Sequence, residues 1–202
     1  MPKVSEKKLA MFCDVFLEDG YYTREETRYI LNEGKRYGFI PKIHADEFTN
    51  QEGAALAVEL EAASADHLLC VSKKGIEALA GSNTVATILP GTSFNLGLQY
   101  APAKKLIEAG ACLAIASDFN PGSNAGLNFQ LMLYLAVTQC KISIAQTIAA
   151  GCYGGAKALK REKDFGHLTK GAKALFQTYN VSTYQNIFYN YGENRLNAIF
   201  VP

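Results

Sequence analysis

A chain of 202 residues, 49% of them hydrophobic, can bury a substantial core and fits either one domain or part of a larger one. Its 20 Lys and Arg balance 19 Asp and Glu to a formal charge of +1, which removes the overall electrostatic case for nucleic acid or an anionic membrane as partner and favours a small ligand. Met1 to Lys8 carries no apolar signal core, no run approaches the roughly 18 apolar residues of a membrane span, and five scattered cysteines (Cys13, Cys70, Cys112, Cys140, Cys152) suit buried free thiols, so the expectation is a soluble cytoplasmic protein.

In chain order, Phe12 to Phe16 is apolar enough for an early strand. Thr23 and Glu26 have capping-box spacing and predict a helix through about Tyr37, ended by Gly38. Phe39 to His44 then reads as a strand, Gln51 to Ala62 as a helix, His67 to Val71 as a strand and Lys73 to Ala80 as a helix. Thr84 to Leu89 is β-branched and apolar, a buried strand closed by Pro90-Gly91. A helix from Pro102 to Ala109, with Gly110 past its end, leads to a strand at Cys112 to Ser117. This alternation of nearly continuous apolar strands with short helices predicts βαβ units in a parallel sheet, hence an α/β fold. Helices follow at Asn128 to Thr138 and at Ser143 to Ala150, the latter again with a capping box, Ser143 to Gln146. From about Lys170 the chain becomes rich in Tyr and Asn, with a strand expected at Ala174 to Tyr179 and a change of subdomain.

Ligands bind at the C-terminal ends of parallel strands, so polar residues there stand out. His44 ends one expected strand, His67 lies near the second and Asp118 ends the fourth. Neutral imidazole nitrogen and anionic oxygen suit zinc or iron(II), although two ligands do not close a site. Other readings remain open on residue type alone. A lone histidine at a strand end is often a hydrogen-bonded structural residue, Ser117 to Gly122 also fits an Asx-type turn, and Glu47 also suits the N-terminus of the following helix.

Five segments carry a resemblance when taken together. Lys-Ile-His-Ala-Asp-Glu at 42–47, Ala-Ala-Ser-Ala-Asp-His at 62–67, Thr-Val-Ala-Thr-Ile-Leu-Pro-Gly-Thr-Ser-Phe at 84–94, Tyr-Ala-Pro-Ala-Lys-Lys-Leu-Ile at 100–107 and Ala-Ser-Asp-Phe-Asn-Pro-Gly-Ser at 116–123 stand in the order and spacing of the imidazolonepropionases. The chain resembles the C-terminal half of these amidohydrolase-superfamily enzymes, most strongly from about Phe12 to Ala150. The resemblance implies part of a (β/α)8 barrel over residues 1–165 and part of a small β-sandwich over 166–202. It implies metal-dependent hydrolysis of 4-imidazolone-5-propanoate to N-formimidoyl-L-glutamate, with one zinc or iron ion as cofactor. By motif it assigns His44 and Asp118 to the metal, His67 and Asp118 to proton transfer, Glu47 to substrate contact and catalysis, and Asn120, Gly122 and Ser123 to the loop holding substrate.

The chain also departs from the family's pattern. It has three histidines and no His-x-His pair, and Asn124 to Leu127 and Ala174-Leu175 differ from the family's wording. The third histidine, His167, is expected to be structural. These departures predict a truncated or split gene product, active only beside a complementing N-terminal half, or associating as a homodimer through open strand edges. An inactive remnant or interaction module, or another amidohydrolase such as a deaminase, are the rival expectations.

Overall fold

Strand and helix alternate as the apolar pattern predicts in the computed structural model, which describes all 202 residues. After a short helix α1 (Pro2–Glu6) come β1 (Phe12–Leu17), α2 (Arg24–Arg36), β2 (Ile40–Ala45), α3 (Gly53–Glu59), β3 (Ser64–His67), α4 (Lys73–Ala80), β4 (Val85–Ile88), α5 (Pro90–Leu96), α6 (Ala103–Glu108) and β5 (Leu113–Ile115). The strands form one five-stranded sheet in the order β1-β2-β3-β4-β5. The pairings of β1 with β2, β2 with β3 and β3 with β4 are all parallel, with Phe16 beside His44 and His44 beside Asp66 in register. The α/β class read from the sequence is thus the class observed.

The chain divides into two compact units. The first comprises Met1–Ile88 and Ala101–Leu113. Its α2 and α3 pack on β1 and β2, α4 packs on α3 and α6, and Leu17, Leu31, Ile43, Leu56, Leu79, Val85 and Leu106 are fully buried between them. Thr23 opens α2 with the expected capping box, its hydroxyl accepting the Glu26 N–H while the Glu26 carboxylate accepts from the Thr23 N–H. Continuous burial along β3 and β4 is the signature of strands covered on both faces.

The second unit comprises Leu89–Tyr100 and Ala114–Pro202. Within it α7 (Phe129–Thr138) packs on α5 and on α8 (Ile144–Ala149), which runs through a π-turn at Ala150–Gly154 into α9 (Gly155–Ala158). Near the C-terminus β6 (Phe176–Tyr179) pairs antiparallel with β7 (Leu196–Phe200), and the rings of Phe176 and Phe200 stack with centroids 4.6 Å apart. No helix is long and apolar enough to cross a membrane.

Two expectations shift, and one strand was not expected at all. The strand predicted at His67–Val71 lies instead at Ser64–His67, because His67 and Leu68 take positive φ (83° and 65°) and turn the chain out of the sheet. Leu68 and Leu69 are apolar because they are buried in that turn, beyond the end of β3. Pro90-Gly91, read as a closing turn, is the first turn of α5, where proline's missing N–H has no helical partner to lose. The strand β7, in a segment of mixed polarity, had no pattern to announce it.

Candidate functional site

Along β2, Pro41, Ile43 and Ala45 are buried, and the alternate positions put Lys42 and His44 on the other face. Lys42 Nζ approaches Asp66 Oδ2 (3.5 Å) and also contacts the Ser64 hydroxyl, a polar group set beside His44 in the sheet. Past Ala45 the chain bends at Asp46, whose φ of 53° an aspartate tolerates. The fully buried Asp46 carboxylate accepts N–H bonds from Gln51 (3.0 Å), Gly53 (2.9 Å) and Ala54 (3.0 Å), and so caps α3, which has no side-chain cap at Glu52. Burial pushes the Asp46 carboxyl pKa up against the pull of those three N–H groups. A Cβ on Gly53 would lie 2.9 Å from the Ala45 Cβ, so only glycine lets the helix start this close to the strand end.

The loop pinned by Asp46 carries Glu47, which is buried. Its next two residues are held by Glu18, just beyond the end of β1. The Glu18 carboxylate accepts the N–H groups of Phe48 (2.8 Å) and Thr49 (3.2 Å) and the Thr49 hydroxyl. Burial alone would raise the Glu18 pKa, but the hydrogen bonds from Thr49, Phe48 and Asp19 outweigh it and hold the carboxyl below its ordinary value.

His67 closes β3 and is 1% exposed. Its Nδ1 lies 3.4 Å from Glu47 Oε1, and its ring centroid is 5.2 Å from that of His44. His44 in turn sets Nδ1 2.6 Å from Asp14 Oδ2. An imidazole whose Nδ1 faces a carboxylate keeps its proton on that side and its lone pair on Nε2, the arrangement that supports metal ligation or proton uptake. Phe16 completes this end of the first unit, with Tyr21, His44 and Phe48 ring centroids at 4.5, 5.8 and 6.4 Å.

In the second unit Asp118 follows β5 by three residues and takes a φ of 53°. Its Oδ2 accepts the Thr92 hydroxyl (2.5 Å) and the Ser123 hydroxyl (3.3 Å). Asn120 organises the loop beyond: Oδ1 accepts the N–H of Gly122 and of Ser123, both at 2.8 Å, and Nδ2 donates to Asp118 O and Ser123 Oγ, again both at 2.8 Å. The Asx-type turn left open by the sequence is therefore formed. His167 has Nε2 2.9 Å from Glu162 O and Nδ1 2.6 Å from Thr169 Oγ1, so both nitrogens serve its own loop.

His44, Glu47 and His67 thus meet in the first unit, and Asp118, Asn120, Gly122 and Ser123 meet in the second. Histidine nitrogens and a carboxylate oxygen are the donor types that zinc and iron(II) take; the first unit offers the nitrogens of His44 and His67 and the second the carboxylate of Asp118, so the donor types present fit such an ion. Sequence reasoning missed Asp14, Glu18 and Thr92. Glu18 was within reach of the strand-end rule that found His44, whereas the partners of Thr92 lie far along the chain and leave no local signal.

The sequence description of the amidohydrolase family matches residues 22–200. Over 199 residues the chain is 42% identical to the imidazolonepropionase of Geobacillus sp. (strain WCH70), covering 98% of this chain and 47% of that protein. It is 41% identical to the imidazolonepropionase of Shouchella clausii (strain KSM-K16), with 98% and 44% covered. The chain spans about half the length of the curated relatives it matches. Among solved structures, an adenosine deaminase from Xanthomonas campestris with bound zinc aligns with a TM-score of 0.74 at 18% identity, over 90% of this chain and 48% of that one. Atrazine chlorohydrolase from Arthrobacter aurescens TC1, complexed with zinc, aligns with a TM-score of 0.70 at 17% identity, over 94% and 48%.

Proposed function

Because the chain belongs to the amidohydrolase family, we propose that it contributes part of the active site of an imidazolonepropionase-type hydrolase, which opens the ring of 4-imidazolone-5-propanoate to N-formimidoyl-L-glutamate. The observation that carries this reading is a likeness to imidazolonepropionases that runs along nearly the whole chain. Residues 1–165 are taken as part of the barrel and 166–202 as part of the sandwich.

His44 and Asp118 are assigned as ligands of one zinc or iron ion. When bound, such an ion would supply Lewis acidity, which lowers the pKa of water towards about 7. Asp118 would accept the proton that the attacking water releases, and His67, having taken up a proton at Nε2, would return one to the ring nitrogen as the C–N bond breaks, so that the proton lost by the water is matched by the one gained by the leaving nitrogen. Proton transfer by positioned groups of this sort contributes on the order of 10²- to 10⁴-fold. The contact from Glu47 to His67 Nδ1 supports this role, since it leaves Nε2 as the nitrogen that exchanges the proton. Glu47 also accepts a ring N–H of the substrate. Asn120, Gly122 and Ser123 form the loop against which the substrate rests. The amides of Gly122 and Ser123 already donate to Asn120 Oδ1, so a substrate oxygen arriving there competes with an existing bond.

The test is complementation. The purified chain is expected to take up Zn²⁺ weakly and to leave the imidazolone ring intact, with ring opening restored on mixing with the N-terminal half of a related imidazolonepropionase. A mixture that deaminates a nucleobase instead, or no turnover with any half supplied, would overturn the reading.

A further inference from the structure

Thr92 belongs to a motif that the assignments above leave without a role. A threonine in the first turns of a helix ordinarily returns its hydroxyl to a carbonyl three or four residues back. Thr92 does not. It is fully buried in α5, and its hydroxyl goes to Asp118 Oδ2, 26 residues on. The rest of α5 grips the same loop. Asn95 Nδ2 donates to Ser123 O (2.8 Å). Gly91 has so little space that a Cβ there would lie 2.4 Å from Asn124 Nδ2, the group that donates to Ser117 O. Pro90 at the first helical position fixes where this turn begins, directly after β4.

We propose that Thr92 is a positioning residue for Asp118: together with Ser123 it pins Oδ2, fixes the carboxylate's rotation and leaves Oδ1 as the oxygen presented to the metal. The reasoning is geometric. A carboxylate has two oxygens related by a half-turn of its terminal torsion, and an unheld one samples that broad torsion freely. Two hydroxyl donors on a single oxygen remove the freedom, as outer-shell partners do at metal centres generally, where their loss costs about 10- to 100-fold in affinity. Ser123 thereby acquires a second duty beside the substrate contact assigned to it. The inference rests on the reading of Asp118 as a metal ligand.

The experiment titrates the full chain with Zn²⁺ against a chromophoric chelator, and records the Asp118 side-chain carboxyl ¹³C resonance in the metal-free protein. Thr92→Val keeps the shape and removes the donor, and is expected to weaken Zn²⁺ binding about 10-fold and to move the Asp118 resonance. Thr92→Ser restores the donor and is expected to return both readouts to near wild type, which a packing role for the lost methyl would not allow. Should the valine variant fail to fold, Thr92→Ala replaces it. Asp118→Asn separates the two ideas. If it abolishes Zn²⁺ uptake while Thr92→Val binds as wild type with an unmoved resonance, the positioning role is wrong and the ligand assignment stands. If Asp118→Asn or the wild type shows that Asp118 takes no part in Zn²⁺ uptake, the site reading falls and the inference with it.

Discussion

Glu18 and Asp46 are both buried carboxylates that accept backbone N–H groups, and the consequences of their ionisation run in opposite directions. Asp46, under the dominant effect of burial, is harder to ionise than a free aspartate, whereas Glu18 is easier to ionise than a free glutamate. For Glu18 the folded state binds its proton less readily than the unfolded chain. Its contribution is therefore present above the ordinary value of 4.5 and is lost as pH falls through the lowered folded value. Glu18→Gln is accordingly expected to unfold at lower urea concentration than wild type at about pH 7, with the gap narrowing towards about pH 3. A gap of equal width at both values would show that the grip on Phe48 and Thr49 does not depend on charge. The places of His44 at the end of β2 and of Asp118 just beyond β5 were legible from the apolar runs alone. Asp14 and Thr92 were not, because a residue that orients another declares itself only through contacts 26 or more positions away, as from Thr92 to Asp118 and from Asp14 to His44.

The same contrast between local and distant causes explains which elements could be read. Helix α2 was found at both ends because its signals are local: a reciprocal cap at Thr23 and Glu26, acidic residues in its first turn and Lys35 and Arg36 in its last. Thr23→Ala removes the acceptor for the Glu26 N–H and is expected to cost about 1 kcal/mol, read as a lower thermal midpoint with unchanged spectra. A loss near zero would mean that packing on β1 and β2 holds the helix start without the cap. Strand β3 was displaced because hydrophobicity reports burial, and Leu68 and Leu69 are buried in a turn that positive φ at His67 and Leu68 creates. That strained pair sits at one of the two histidines assigned to the chemistry, where departures from relaxed backbone concentrate.

At the scale of the molecule, the α/β alternation was visible from apolar runs and their spacing, and the small antiparallel pair of β6 and β7 was only half visible. The sheet order leaves β1 as an edge, where Tyr22 N–H reaches Phe16 O but no further strand pairs. Parallel edges recruit other strands, so the chain is expected to associate as its concentration rises, seen by sedimentation velocity as a growing heavier species. A single monomer boundary over a wide concentration range would count against that. The division into two units has a separate consequence for anyone wishing to take the protein apart. The chain passes between the units three times, at 88/89, 100/101 and 113/114. No single cut separates them, and a protein ended at residue 113 would retain every residue of the first unit but only the twelve-residue Leu89–Tyr100 piece of the second. That stranded piece contains Thr92, and in chain order the segments of the two units alternate rather than follow end to end. They cannot be exchanged as modules by one crossover in the gene, and swapping with a relative requires carrying the Leu89–Tyr100 segment along with the tail that follows residue 113.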